Sequence, residues 1–272
     1  MKSFIPPAIE QLSSEFHGKI LKDEQPFKHF HTNNEIIIVA EGSCICSVND
    51  KKYKLSAEEC FFVCPFQMHE LNPQDGSIVW RLNFNDNIVL TVAQSILGRV
   101  PKNPKFKIDK STLDFSLDLL SRTFGADSTP LKRITPYETR IKIKGMLYLI
   151  LAEFLGSASL ISAPKTDIIA TEIAMYISNN YKNNISLKDI AQEKGYNYQY
   201  LSRTFNKYMD MNFKTMLNHH RAQRAYAMLQ DTDLPISYIG LECGFQSIRS
   251  FNQVCRDIFG KTPKEIRHLR RI

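Results

Sequence analysis

"ECGFQSIRSFNQVCRDIFGKTPKEIR", residues 242–267, sets apolar residues at helical spacing, places a glycine before an aromatic, and carries five basic side chains against three acidic ones. Apolar residues that recur every three or four positions bury one face of a helix. The face left over here is polar and basic. An earlier stretch repeats the pattern: Ile185-Ser186-Leu187 to Tyr208 is similar to Ile236-Ser237-Tyr238 to Phe259. Each copy predicts a short helix, a turn at Gly195-Tyr196 or Gly244-Phe245, and a second, more polar helix. Ile190, Ala191, Leu201 and Phe205 supply the inward face of the first copy; Ile239, Phe245, Phe251 and Phe259 supply that of the second. Between them, Phe213 to Leu229 reads as one connecting helix with Met216, Leu217, Ala225 and Leu229 inward. The expectation is two helix-turn-helix units, in which the first helix braces and the second offers side chains to a DNA major groove.

Charge follows the same division. From Lys165 onward there are 16 Lys and Arg against 10 Asp and Glu, a net +6, whereas the preceding residues carry 19 against 18, a net +1. A basic segment suits a polyanion, although a solvated charged surface would look the same. The chain of 272 residues is long enough for two domains, and 43% hydrophobic with 23% charged residues is an ordinary globular composition. MKSFIPPAIE lacks the apolar run of a signal peptide, and the apolar stretch Met146 to Leu155 is too short to span a bilayer, so a cytoplasmic location is expected. Six cysteines without a CxxC pair suggest reduced, buried thiols. A thiolate metal site remains conceivable at Cys44 with Cys46, or Cys60 with Cys64, since each pair would share a strand face.

Upstream of the helices the period changes. EIIIVA, SCICSV, KYKL, CFFVC and SIVWRLNF read as short strands, with a turn at Asn49-Asp50. Leu113, Leu117 and Leu120 then recur at helical spacing, and a longer helix is expected from Pro136 to about Leu155. Its Ile143, Leu147, Ile150, Leu151 and Phe154 offer more apolar surface than a small barrel obviously needs, which predicts a part in a dimer interface. Burial against its own barrel is the alternative. SASLISAPKTD, residues 157–167, reads as the connector.

ISLKDIAQEKGYNYQYLSRTFNKYM and DLPISYIGLECGFQSIRSFNQVCRDIFGKTPKEIR resemble the double helix-turn-helix domain of AraC/XylS-type transcription regulators. The pattern rests on Pro235-Ile236, Ile239, Gly244-Phe245, Phe251, Phe259-Gly260, Thr262-Pro263 and Arg267. Gly240 stands where the family usually has Ala, Arg249 where Ser is frequent, Cys255 where Phe is usual, and Asp210 where Gly is common. On the first reader helix Tyr198, Gln199, Ser202, Arg203 and Asn206 fall outward; on the second, Ser247, Arg249, Asn252, Gln253 and Arg256 do. Gln and Asn match the adenine edge and Arg the guanine edge. The resemblance points to Gln199, Ser202, Arg203, Arg249, Asn252 and Gln253 as base-facing. Tyr198 either meets DNA or packs locally. Arg256, Lys207, Lys261, Lys264 and Arg267 suit phosphates, which position a protein without reading sequence.

HFHTNNEIIIVAEG sets His29, His31, Glu35 and Gly42 in the order H-x-H-x3-E-x6-G, and PFQMHEL adds His69. This resembles the first cupin motif and a shortened second one. Three imidazoles and a carboxylate suit a divalent metal. Sensory domains of the family, however, often use the barrel interior for a small organic effector without metal. Metal ligand, effector contact and structural role therefore all stay open for these four. Arg81 could receive a polar ligand group or sit in a surface ion pair.

The expected fold is α+β with two domains: a cupin-like effector-binding and dimerisation domain over 1–159 with trailing helices, a linker over 160–167, and a double helix-turn-helix domain over 168–272. The expected function is a DNA-binding transcription regulator, an activator, responding to a small-molecule effector such as a carbohydrate, with no cofactor and no catalysis. The partners implied are double-stranded DNA, the effector, a second copy of the chain and RNA polymerase, and no membrane. The alternatives are a metal-dependent cupin enzyme fused to a DNA reader, or a first domain that only dimerises or binds a protein.

Overall fold

The computed structural model describes residues 8–10, 16–21, 28–31, 33–125, 136–209 and 211–269. Asp210 lies outside the described residues. They divide into two compact units: residues up to Asp167, and those from Ile168 on together with a first strand, β1 (Ala8–Glu10). The architecture is a two-domain α+β fold.

The β-rich unit holds two main antiparallel sheets and a two-stranded one. One runs β11 (Lys105–Lys107), β7 (Glu59–Val63), β4 (Asn34–Glu41), β9 (Ile78–Phe84), β2 (Phe16–Leu21); the other contains β3 (His29–His31), β8 (His69–Pro73), β5 (Ser43–Val48) and β6 (Lys51–Ser56) in that order. Side chains alternate across a strand, so each sheet has two faces to satisfy. Ile37, Val39, Phe61, Val63 and Val79 meet Cys44, Cys46, Leu55 and Leu71 in one core between the sheets. Their neighbours Ile36, Ile38, Cys60, Phe62, Trp80, Leu82 and Phe84 point the other way, into a second core with the helices α1 (Leu90–Ile96), α2 (Lys110–Phe124) and α3 (Tyr137–Ser157). β4 is thus buried on both sides, which is why EIIIVA is a continuous apolar run rather than an alternating one. Asn49 and Asp50 both take positive φ, the geometry of a two-residue hairpin turn between β5 and β6.

The second core corrects one expectation. Ile143, Leu147, Ile150, Leu151 and Phe154 are at most 1% exposed and belong to the barrel's own core, with the Phe154 ring stacked on Phe62 at 4.5 Å. The outer face of the sheet that contains β4 and β9 is itself apolar and needs this cover, so these residues are unavailable to a second copy. The large hydrophobic α3 side chains left exposed are Tyr137, Ile141, Tyr148 and Leu149. Within the stretch read as a connector, β12 (Leu160–Ser162) pairs antiparallel with β10 (Arg99–Pro101), and α4 (Lys165–Asn180) begins three residues later.

All six cysteines are free and buried. Burial pushes the Cys60 and Cys64 thiols up to about 12, so they stay protonated at neutral pH and pack as small apolar groups.

The helical unit follows the duplicated pattern. After α4 come α5 (Leu187–Lys194) and α6 (Tyr198–Met209), α7 (Phe213–Asp231), α8 (Ile236–Glu242) and α9 (Ile248–Phe259), and α10 (Pro263–His268). Ser186 and Asp189 form a capping box that starts α5, and Asn212 accepts from the Thr215 amide to start α7. Ile190, Ala191, Leu201, Phe205, Met216, Leu217, Ala225, Leu229, Ile239, Phe245 and Phe251 are all buried, as their spacing predicts. Phe259 is only partly buried, against Tyr226 at 5.1 Å between rings.

Candidate functional site

Two places carry polar chemistry: the outward faces of α6 and α9, and a buried cluster inside the barrel. On α6, Leu201 and Phe205 anchor the back of the helix while Tyr198, Gln199, Arg203, Asn206 and Lys207 are exposed and Ser202 is half-buried. On α9, Phe251 and Cys255 are the anchors; Ser247, Arg249, Gln253 and Arg256 are exposed and Asn252 is half-buried. Each helix therefore turns a polar, cationic surface away from its core.

Some of these side chains are already engaged. The Ser247 hydroxyl accepts from the Ser250 amide at 3.1 Å and caps α9. Gln253 Nε2 donates to Asp257 Oδ1 at 2.7 Å. The Lys188 ammonium lies 5.7 Å from the Tyr198 ring centre, so that ring has a local partner. Arg267 donates to the Leu234 carbonyl at 2.6 Å, an internal tie rather than an outward phosphate contact.

The barrel cluster is assembled from three strands. His29 and His69 are register partners across β3 and β8, with ring centres 4.1 Å apart, and the His31 ring is 4.7 Å from that of His69. Glu35, on β4, reaches both: Oε2 lies 3.1 Å from His31 Nε2 and Oε1 lies 3.3 Å from His69 Nε2. One ligand atom from each of the four lies within 4.8 Å of the others, and all four side chains are buried. The motif's four residues, spread over 41 positions from His29 to His69, are thus brought to one point.

Neighbours orient the cluster. His31 Nδ1 pairs with the Asn33 carbonyl at 2.9 Å and His69 Nδ1 with the Gln67 carbonyl at 2.8 Å. Asn83 Nδ2 donates to Glu35 Oε2, and Arg81 Nε stands 3.9 Å from the same oxygen. Arg81 is 3% exposed, so it belongs to the buried site and not to a surface ion pair. Burial alone would raise the Glu35 carboxyl, but the His69 and His31 imidazoles outweigh it and hold the group well below the usual carboxylate range. For His29, burial and then the neighbouring His69 push the imidazole well below its ordinary value, which keeps it neutral.

Sequence reading passed over Asn83, Gln67, Asn49 and Asp167. Asn83 sits two positions after Arg81 on β9, hence on the same face, a period-two signal that could have found it. Gln67 Nε2 donates to Asp167 Oδ2 at 3.2 Å, and Asn49 Nδ2 donates to both oxygens of Asp167 at 3.2 and 3.0 Å. Those contacts join residues 100 and 118 positions apart and have no local signature.

A buried polar site in a double-sheet barrel, with a tandem helix-turn-helix unit on the same chain, defines a DNA-binding regulator with a sensory domain. Residues 190–268 match the family described as a helix-turn-helix domain, and residues 21–120 match the AraC-like ligand binding domain. The HTH-type transcriptional activator RhaS of Escherichia fergusonii is 22% identical over 251 residues, covering 88% of this chain and 87% of that protein. The HTH-type transcriptional activator AarP of Providencia stuartii is 35% identical over 95 residues, covering 35% of this chain and 70% of that protein. In fold, the chain is similar to apo ToxT of Vibrio cholerae, with a TM-score of 0.56 and 16% identity over 95% of this chain and 99% of that one. The chain belongs to the AraC/XylS-type family of transcription regulators.

Proposed function

We propose that this regulator activates transcription by placing α6 and α9 of a single chain in successive major-groove segments of one nonpalindromic site, under control of a ligand held in the barrel. The observation that carries the reading is α7, an unbroken helix of 19 residues between the two readers. Phe213 on α7 meets Phe205 of the first unit at 6.2 Å between rings, and Ala222, Ala225 and Leu229 pack into the core of the second. A connector buried at both ends holds two recognition helices in one geometry, which a flexible tether would not. In this reading residues 1–159 sense and dimerise, 160–167 connect, and 168–272 bind DNA. Gln199, Ser202, Arg203, Arg249 and Asn252 read bases, while Lys207 and Arg256 hold phosphates. The chain works in the cytoplasm, carries out no catalysis, and recruits RNA polymerase as an activator does. The exposed residues of α3, Tyr137, Ile141 and Tyr148, are the surface we assign to a homodimer; sedimentation of Ile141→Lys beside the unaltered chain tests it.

The test of the main reading is a footprint of the full chain on its promoter. Two protected segments roughly 34 Å apart are expected, one helical turn of about 10 base pairs. Five base pairs inserted between them rotate one segment to the opposite side and should abolish joint binding. Affinity should also fall steeply with salt as phosphate counterions are released. Undiminished affinity for the inserted site would mean that only one unit engages DNA.

A further inference from the structure

We propose that His29, His31, Glu35 and His69 bind one divalent transition-metal cation, and that its occupancy is the signal the barrel delivers to the DNA-binding unit. This rests on the regulator reading above and specifies its ligand.

The convergence of four buried donor groups on one point carries the argument. The carbonyls of Asn33 and Gln67 are acceptors only, so the Nδ1 atoms of His31 and His69 that contact them must be the donors. Each ring then turns Nε2 toward a carboxylate oxygen of Glu35, at 3.1 and 3.3 Å. Ring nitrogen and carboxylate oxygen alike are ligand atoms for a transition-metal cation. A cation standing between these atoms makes both contacts favourable. One divalent ion satisfies both contacts together.

Geometry and outer contacts agree. Bonds of about 2.1 Å to imidazole nitrogen and carboxylate oxygen put adjacent ligand atoms about 3.0 Å apart and opposite ones about 4.2 Å apart. The cluster has spacings of 3.1 and 3.3 Å, close to the adjacent value, and its ligand atoms all fall within 4.8 Å, so the widest pair draws in slightly to hold an ion. A metal-bound histidine usually donates its other ring nitrogen to a carbonyl or carboxylate, which fixes tautomer and orientation; His31 and His69 both do so. Nitrogen-rich sites with one carboxylate suit Mn, Fe, Co, Ni or Zn, and not Ca or Mg.

The same contacts supply a route outward. Gln67 touches the cluster through its backbone carbonyl at His69, while its side-chain amide donates to Asp167, the third residue of α4. Asp167 is only 5% exposed and its carboxylate is held by Gln67 and Asn49. A shift of the His69 ring on binding a cation is therefore passed to the first turn of α4 through one residue.

The full chain, stripped with chelator and dialysed against micromolar Mn(II), Fe(II), Co(II), Ni(II) or Zn(II), is assayed for bound metal by elemental analysis. Circular dichroism and Trp80 fluorescence report folding, and the footprint is titrated in parallel. About one ion per chain is expected, bound at least tenfold more weakly by Glu35→Gln. DNA affinity should change at least fivefold between stripped and loaded protein. Gln67→Met should keep the ion and lose most of that change. Folded chain that takes up none of these ions, or Glu35→Gln binding as well as the unaltered chain, overturns the site. Equal DNA affinity with and without bound metal overturns its role as signal, and a full response in Gln67→Met overturns the route. A two-segment footprint in the stripped protein leaves the regulator reading intact whichever way the metal result falls.

Discussion

The two helix-turn-helix units share one sequence pattern and differ at the turn. In the first, Gly195 ends α5 with φ +70°, and a Cβ placed there would meet nothing within 4 Å. In the second, Gly244 has φ +86°, and a Cβ would lie 2.5 Å from the Tyr181 carbonyl, 2.9 Å from Lys182 Cα and 3.0 Å from Arg221 Nε. Arg221, itself buried, donates to the carbonyls of Tyr181 and Asn183 at 2.7 and 2.8 Å, so the second turn is built against the chain that follows α4. The first turn needs glycine for its backbone angle alone; the second needs it for the angle and for space. A local motif can thus be the same in sequence while its tertiary burden differs several-fold.

Gly244→Ala is the widest test of that difference. A left-handed Cβ costs about 1–2 kcal/mol and overpacking against backbone about 1–3 kcal/mol more, so a loss of about 3–4 kcal/mol is expected. Gly195→Ala should cost about 1 kcal/mol, from the angle alone. Urea unfolding of both variants, followed by circular dichroism, compares them directly. Equal losses would break the distinction between the turns.

The comparison sharpens at the DNA surface. Arg203 on α6 and Arg249 on α9 are both exposed, and no side-chain hydrogen bond engages either among the described contacts. Replacing either by Ala should weaken specific binding by about 1–3 kcal/mol and relax preference at one base pair, in a different half of the site for each. Lys264→Ala should weaken all sequences alike. Binding selections on randomised sites read this out, and an unchanged preference in both Arg variants would remove them from the base-reading set.

How much of this was legible depended on whether the determining contact was local. The tandem units were readable because each helix carries its own inward stripe and its own glycine, and the four cluster residues because the spacing around β4 marks them. β2, β3 and β8 were not read as strands: FHGKIL, HFH and HELNP are short and put histidine and asparagine where apolar residues usually signal a sheet. The destination of the α3 stripe was misjudged because nothing in YETRIKIKGMLYLILAEFLGS tells whether its apolar side meets another copy or the outside of its own sheet. Asp167 was invisible for a related reason, since its partners Gln67 and Asn49 lie far away in sequence and their amides give no period to detect.

A third test concerns Gly240, where the family usually has Ala. A Cβ there would lie 2.8 Å from Phe251 Cδ1, whereas the corresponding residue of the first unit, Ala191, is accommodated in a core built with Leu201. The absent methyl makes room for the larger ring. Gly240→Ala gains helix propensity of about 1 kcal/mol but overpacks, for a net loss of about 1–2 kcal/mol. Phe251→Leu alone should also destabilise by leaving a void. Combined, the two should lose less than the sum of the single losses, because each relieves the other. Strict additivity in a double-mutant cycle on urea midpoints would contradict the small-for-large exchange.

The smallest effect separates capping from reading at the start of α9. Ser247 lies on the outward face by spacing, as Gln199 and Ser202 do on α6, and spacing alone makes all three candidates for base contact. Its hydroxyl, however, accepts from the Ser250 amide, one of the backbone donors a helix leaves unpaired at its first turn. A hydroxyl can still donate while it accepts, but a serine discriminates bases weakly in any case. Ser247→Ala should therefore cost about 1 kcal/mol of stability, the usual penalty for a lost cap, and leave base preference unchanged. Ser247→Asp restores the acceptor and should recover the stability, yet its charge faces the DNA and should weaken all sequences together. Measured unfolding midpoints and binding selections on the two variants divide the cases. If Ser247→Ala keeps full stability and shifts the preferred base, the side chain reads DNA rather than capping the helix.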